Sequence, residues 1–322
     1  MLHDSQGRTI GYLRLSLTKA CSMRCVYCRP EKLEHPRGEP LLAPGEIEQL
    51  VTHLAAAHGL RKVRLTGGDP TSRPELIEII ARVARVPGVG EVAMTTNGLT
   101  LPHKAAAYAQ AGLTRVNISL DTLDRARFAQ MTGVDGLARV REGIDAALSA
   151  GLTPVRLNTV AIQENLADLP ALVRFAADKG VEIRFIELMP MGPLAARWHE
   201  HYVPEAAMRR ALEPIVAAGE PLPQGADSAR RTRLTLDDGR HVTVGFITPM
   251  SCNFCAACNR IRVAADGALF PCLMDEPAGT LLPALRPTFD AGKLDALLAA
   301  GLARKRTEHP HDGFVVMTHI GG

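Results

Sequence analysis

The sequence predicts an α/β fold: a partial (βα)6 or complete TIM-like barrel over residues 1–192, followed by a separate C-terminal region over residues 193–322. Three observations predict it. Short β-branched or apolar runs alternate with longer helical patterns at the spacing of one βα unit, as parallel strands with helical crossovers require. The first four runs end in cysteine-bearing, glycine-rich or polar motifs, where β/α barrels place their functional groups. From about residue 193 the alternation stops and a hairpin signal replaces it. A doubly wound open sheet is the alternative, because sequence alone does not close a barrel.

The first predicted strand, 11–17, holds Tyr12-Leu13-Arg14-Leu15-Ser16-Leu17, leucines alternating with polar residues, and a helix follows at 45–58. The second, 61–66, sets Lys62 and Arg64 on one face and ends in Thr66-Gly67-Gly68-Asp69-Pro70, with a helix at 74–86. The third, 90–96, runs into Thr95-Thr96-Asn97-Gly98 and a helix at 103–112. The fourth, 114–120, carries Asn117-Ile118-Ser119-Leu120-Asp121, and the next helix spans 136–150. The fifth, 154–160, contains Arg156 and leads to a helix at 167–179; the sixth, 182–188, contains Arg184. Pro or Gly near several helix ends supplies stop signals, and the general Ala richness favours helix. Beyond the barrel we read a helix at 204–218, a Gly/Pro/polar connection at 219–229, and strands 230–236 and 240–247 joined at Asp237-Asp238-Gly239. A proline-bearing loop and a helix at 293–304 complete the region.

With 322 residues and 46% apolar content the chain can bury a large core. A formal net charge of only +3 argues against bulk electrostatic attachment to nucleic acid or membrane. No apolar stretch reaches membrane-spanning length, and the N-terminus lacks a basic region leading into an apolar core. A cytoplasmic location is expected, where cysteines stay reduced and serve as ligands or redox groups.

Six of the seven cysteines fall into two triplets. Cys21, Cys25 and Cys28 form Cys-x3-Cys-x2-Cys after the first strand, with Tyr27 before the last Cys; Cys255, Cys258 and Cys272 form Cys-x2-Cys-x13-Cys after the hairpin. Each triplet offers three thiolates and no obvious fourth. A four-iron cluster normally takes four, so three leave one iron open to another ligand. Structural zinc is the competing reading: His3, His35 or His53 could complete the first set, and Cys252 the second. Gly67 and Gly68 would allow close backbone approach by a ligand, and Asp69 could accept from an ammonium group.

Cations form the second pattern. Arg14, Lys62, Arg64, Arg156 and Arg184 lie inside predicted strands, and Arg260 and Arg262 stand two residues apart beside the second triplet. Any one alone reads as a strand-end residue reaching solvent or pairing with Glu or Asp. Both faces of a parallel sheet are normally covered, however, and a covered cation needs an anion to offset its desolvation. Together they point to a polyanionic ligand, and a triphosphate fits, since Arg supplies bidentate contacts and Lys a point charge.

Taken in order, these motifs resemble the GTP 3′,8-cyclase family of radical S-adenosylmethionine (SAM) enzymes. The resemblance also uses Arg184-Phe185-Ile186-Glu187-Leu188-Met189-Pro190, Cys258-Asn259-Arg260-x-Arg262 and the terminal Gly321-Gly322, and it spans essentially the whole chain. It implies a radical SAM partial barrel with a C-terminal cluster-binding region, acting in the first step of molybdenum cofactor biosynthesis. It implies two [4Fe-4S] clusters as cofactors, one on Cys21, Cys25 and Cys28 that chelates SAM, and one on Cys255, Cys258 and Cys272 that meets the guanine of GTP. Tyr27, Gly68, Asp69, Thr95, Ser119 and Met189 match SAM-binding positions. Arg14, Lys62, Arg64, Arg156, Arg184, Arg260 and Arg262 match positions around GTP, and Gly321 and Gly322 would organise the site from the tail. A 5′-deoxyadenosyl radical would take the ribose 3′ hydrogen, and the sugar would close on C8 to give 3′,8-cyclo-7,8-dihydro-GTP. Asp69 stands where the family usually has Glu, Arg156 where it usually has Lys, and Cys252 is an extra thiol expected to be idle. The implied partners are GTP, an electron donor and a downstream cyclic pyranopterin monophosphate synthase, with no nucleic acid and no membrane; a homodimer is one option for assembly. The alternative is another two-cluster radical SAM enzyme such as a peptide-modifying maturase, which would lack the phosphate-directed cations.

Overall fold

The computed structural model describes residues 1–28, 41–225 and 227–308. The first half alternates strands and helices: β1 (Tyr12–Ser16), α1 (Pro44–His58), β2 (Lys62–Thr66), α2 (Leu76–Ala84), β3 (Glu91–Thr96), α3 (Leu101–Gln110), β4 (Arg115–Ser119), α4 (Arg125–Thr132), α5 (Leu137–Ser149), β5 (Arg156–Ala161), α6 (Leu169–Lys179) and β6 (Glu182–Glu187). The rest supplies α7 (Trp198–His201), α8 (Glu205–Leu212), β7 (Val216–Pro221), β8 (Arg230–Leu236), β9 (His241–Ile247), β10 (Arg260–Val263), β11 (Ala268–Phe270), β12 (Gly279–Thr280), α9 (Leu282–Leu285) and α10 (Ala291–Ala303).

All these strands join one sheet in the order β12-β11-β10-β1-β2-β3-β4-β5-β6-β9-β8-β7. Strands β1 to β6 are parallel neighbours in chain order, so the six predicted βα units form a partial barrel. The sheet stays open, with β12 and β7 at its ends. Residues beyond 193 extend both flanks in parallel, β10 on β1 and β9 on β6. The second cysteine triplet is thereby brought to a cavity that the first also lines.

Strand alternation divides the sheet into two chemistries. One face carries Leu13, Leu15, Val63, Leu65, Val116, Ile118, Leu157 and Phe185, buried in the main core. Helices cover it with faces such as Ile79, Ile80 and Val83 of α2. The opposite parity puts Arg14 beside Arg64 and Arg262, and Asn158 beside Arg184, in register across the strands. This polar face turns inward.

Several sequence expectations need correction. The helix expected at 204–218 stops at Leu212, because Pro214 lacks the N–H that another helical turn would require, and a 3₁₀ turn over Glu213–Ile215 follows. The expected connection at 219–229 begins as β7, an edge strand antiparallel to β8 whose exposed side tolerates Gly219 and Pro221. Strands β10, β11 and β12 and helix α4 were not anticipated. The Asp237-Asp238-Gly239 hairpin is present, with β8 antiparallel to β9 and Gly239 at φ 83°.

Candidate active site

The polar face of the sheet and the loops after β1, β2, β3 and β6 enclose a cavity of about 500 Å³. Cys21, Cys25 and Cys28 line one part of it, and Cys255, Cys258 and Cys272 another. Tyr27, Gly68, Asp69, Thr95, Ser119 and Met189 line it too, as do Arg14, Lys62, Arg64, Arg156, Arg184, Arg260 and Arg262. Gly321, Gly322 and His35 lie outside the described residues.

The first cysteine loop is built by a backbone clasp. Gly67 adopts φ 147°, and a Cβ there would stand 2.4 Å from the Thr18 carbonyl oxygen; one on Gly68 would stand 2.4 Å from that of Ala20. The N–H groups of Gly68 and Asp69 donate to those same carbonyls at 2.7 Å. What approaches the glycine pair so closely is thus the protein's own chain just before Cys21. Asp69 is 1% exposed. Its Oδ1 accepts from the Thr71 N–H (2.8 Å) and hydroxyl (2.5 Å), its Oδ2 from the Thr96 hydroxyl (2.9 Å) and the Asn97 N–H (2.6 Å). Its oxygens are committed to the protein, where the sequence suggested one free to meet an ammonium. Asn97 in turn donates its side-chain N–H to Ser22 Oγ at 3.0 Å and faces Cys21 Sγ at 3.8 Å.

Tyr27 donates its hydroxyl to Asp121 Oδ2 at 2.6 Å, and Asp121 Oδ1 accepts from the Val160 N–H at 2.9 Å. Burial pushes the Asp121 carboxyl up to about 6. Burial, Asp121 and the neighbouring thiols of Cys28 and Cys21 push the Cys25 thiol well above its ordinary value. The second triplet sits in the opposite field. Burial alone would raise the Cys258 thiol, but the Arg260 guanidinium and the Lys305 ammonium bring it down to about 6. Lys305 is 4% exposed and donates to Cys258 Sγ (3.4 Å), the Arg260 carbonyl (3.0 Å) and the Pro271 carbonyl (2.7 Å). The loop leading to this triplet hangs on buried Glu187, whose Oε2 accepts from the N–H groups of Met250 and Ser251 at 3.0 and 2.9 Å.

The donor sets suit clusters better than zinc. The sulfurs of neither triplet lie all within 4.8 Å of one another, whereas thiolates on one tetrahedral zinc stand about 3.8 Å apart. His3 and His53 do not line the cavity, and Cys252 is exposed and outside it, so neither zinc set is completed among the described residues. Three partly buried thiols with no fourth protein donor among the described residues are what a three-Cys iron–sulfur cluster needs.

The cations fall into two groups. Lys62 and Arg115 share Glu91 (3.0 and 2.6 Å), Arg156 and Arg184 share Glu182 (3.3 and 2.5 Å), and Arg184 holds Asp227 through two hydrogen bonds of 3.1 and 2.7 Å. Burial works against the Asp227 carboxylate, but Arg184 holds it well below the usual range. Among the described residues no carboxylate pairs with Arg14, Arg64 or Arg260. The Nε atoms of Arg14 and Arg64 are buried without a hydrogen-bond partner, each costing about 1–3 kcal/mol until an acceptor arrives. Burial pulls Arg64 down to about 10. Burial and the nearby charges of Arg14 and Arg260 hold Arg262 well below its ordinary value. Tyr12 stands among them, with Lys62 Nζ 5.0 Å and Arg64 Cζ 5.7 Å from its ring centre. Burial would raise its phenol, yet Arg64, Arg14 and Lys62 lower it to about 7. The cavity is therefore an anion site with unmet positive charge.

Sequence reasoning missed Tyr12, Arg115, Asp227 and Lys305. Tyr12 and Arg115 carried a readable signal, since each shares strand parity with a residue already singled out, Arg14 and Ser119. Asp227 lines the cavity and Lys305 touches Cys258 through contacts far apart in sequence, and no local pattern marks them.

Comparison with known proteins identifies the family. The Radical SAM superfamily matches residues 15–176, and the Molybdenum Cofactor Synthesis C family residues 181–311. A GTP 3′,8-cyclase of Pelotomaculum thermopropionicum is 43% identical over 315 residues, 96% of this chain and 95% of that protein. GTP 3′,8-cyclase 1 of Pseudomonas aeruginosa is 41% identical over 95% of this chain and 93% of its own length. The crystal structure of Streptococcus suis SuiB bound to S-adenosylmethionine shares the fold, with a TM-score of 0.58 at 12% identity over 94% of this chain and 71% of that one. No described helix is long and apolar enough to cross a membrane. With two thiol triplets and an anion site on one cavity, and matches of this extent along its length, the chain belongs to the GTP 3′,8-cyclase family of the radical SAM superfamily.

Proposed function

We propose that this enzyme converts GTP to 3′,8-cyclo-7,8-dihydro-GTP, the first step of molybdenum cofactor biosynthesis, with residues 1–192 building the SAM site and 193–322 the second cluster site. The observation that carries the reading is that both cysteine triplets and the charged face of the sheet line one cavity. When bound, SAM and the cluster on Cys21, Cys25 and Cys28 supply a 5′-deoxyadenosyl radical able to take the ribose 3′ hydrogen.

The protein's residues then do the positioning. The Gly67-Gly68 clasp, held by Asp69, fixes the cysteine loop, so Asp69 acts on SAM through the shape of the pocket. Tyr27, Thr95, Ser119 and Met189 bound the SAM side. Arg14, Arg64 and Arg260 offer charge without a carboxylate partner and take the triphosphate, assisted by Arg262. Lys62, Arg156 and Arg184 are each paired with a carboxylate, Glu91 and Glu182 being shared between two cations, and orient more than they attract. Cys255, Cys258 and Cys272 would hold the second cluster on the GTP side of the cavity. A sugar radical and C8 held in van der Waals contact, with water excluded, react within the complex instead of with solvent. Ring closure leaves one electron and one proton to be supplied, which assigns an electron donor as partner; the product passes to a downstream synthase in the cytoplasm.

The test is anaerobic reconstitution with iron and sulfide, then reductant, SAM and GTP, with mass-spectrometric analysis. Deoxyadenosine and cyclised GTP formed together support the reading. Deoxyadenosine without cyclised GTP would move the substrate to another molecule, the position of the maturase alternative.

A further inference from the structure

Away from the cavity, His53 and His58 at the end of α1 and Asp295 in α10 converge on one point. His53 Nε2 lies 2.6 Å and His58 Nε2 2.7 Å from the same oxygen, Asp295 Oδ1. Their ligand atoms all lie within 4.8 Å of one another, and among the described residues no other three His, Cys, Asp or Glu donors do so. The imidazole rings meet edge to face with centres 5.5 Å apart, and Phe289 packs against His53 at 5.8 Å. The imidazoles are 13% and 17% exposed and Asp295 44%, so the cluster is walled by protein on the nitrogen side and open to water on the carboxylate side. The sequence offered His53 as a completing ligand for the first triplet; the structure places it here instead.

We propose that His53, His58 and Asp295 bind a divalent transition-metal ion of the zinc class. Two imidazole nitrogens and one carboxylate oxygen form a donor set that suits such ions, with a water in the fourth position. One carboxylate oxygen facing two imidazole nitrogens needs a proton on each nitrogen to hold the three together. A divalent ion replaces those two protons and takes all three atoms as ligands, with metal–nitrogen distances of about 2.0–2.1 Å. The ion fastens α10 to α1. α10 ends just before Lys305, which touches Cys258, so the site braces the element that presents this ammonium to the second triplet.

The experiment uses the cluster-loaded enzyme, dialysed anaerobically against micromolar Zn²⁺, with elemental analysis of zinc and iron. His53→Gln, His58→Gln and Asp295→Asn are compared with the unaltered chain. The expected result is one zinc bound beyond the clusters, its affinity reduced at least about ten-fold in each variant while iron content is unchanged. Equal zinc uptake by all four proteins, or none by the unaltered chain, overturns the proposal. Zinc K-edge absorption on the unaltered enzyme decides independently of any variant. Imidazole scattering with a nitrogen/oxygen shell at about 2.0 Å is expected, whereas sulfur at about 2.3 Å would put the zinc on cysteine and refute the site.

Discussion

Replacing Lys305 by Gln should lower the reduction potential of the second cluster and leave the first unchanged. The ammonium is 4% exposed, 3.4 Å from Cys258 Sγ, and its other two partners are neutral carbonyls, so the thiolate is its only anionic neighbour among those bonded to it. At an effective dielectric constant of about 20, a unit charge at that distance stabilises an added electron by about 5 kcal/mol, or about 200 mV, if the electron sat wholly on that sulfur. Delocalisation over the cluster reduces this to about 50–100 mV. Gln retains N–H donors for the carbonyls of Arg260 and Pro271, which keeps the fold while removing the charge. The assay is an EPR-monitored redox titration of the loaded enzyme, with the first cluster as internal reference and iron content as the check on assembly. A shift below about 20 mV with both clusters intact would refute the electrostatic role of Lys305, as would equal shifts in both clusters.

Further outcomes follow from the same geometry. GTP binding should weaken as pH rises through about 7, because Tyr12 gains negative charge among Arg14, Lys62 and Arg64 where the triphosphate is placed; Tyr12→Phe should flatten that dependence in a binding titration. In cluster-free protein, alkylation of Cys258 should rise with pH about a midpoint near 6, since the thiolate is the reactive form, and Lys305→Gln should move the midpoint upward. Arg64→Ala should weaken GTP binding by about 2–3 kcal/mol while SAM cleavage persists, measured as GTP affinity against deoxyadenosine formed; loss of both together would contradict the assignment. Cys252→Ser should leave iron content and turnover unchanged, because that thiol is exposed and outside the cavity.

The partial barrel was legible because its strands and helices obey different periods, and because Thr66-Gly67-Gly68-Asp69-Pro70 and Thr95-Thr96-Asn97-Gly98 mark strand ends. Strand β10 was not, since four residues beside a cysteine pair become a strand only by pairing with β1, far away in sequence. Helix α4 was hidden by its polarity: Arg125-Ala126-Arg127-Phe128-Ala129-Gln130-Met131-Thr132 buries only Phe128, Met131 and Thr132. A local signal was present in Asp124, whose side chain accepts from the Arg127 N–H at 2.7 Å and caps the helix. The cations were legible from strand parity, but their counter-ions were not. Glu91 on β3 lies opposite Lys62 of β2, Glu182 on β6 lies opposite Arg156 of β5, and Asp227 lies in a loop, so which cations arrive already paired is settled by register and loop placement.

The most direct test of the central claim is the fate of the ribose 3′ hydrogen. GTP deuterated at C3′ is incubated with the loaded enzyme, SAM and reductant, and deoxyadenosine is examined by mass spectrometry. Deuterium in deoxyadenosine, together with its loss from a cyclised GTP product, is predicted. Deuterium-free deoxyadenosine formed at the same rate with and without GTP would contradict the account, because the cavity between the two triplets would then not hold the ribose of GTP in reach of the radical.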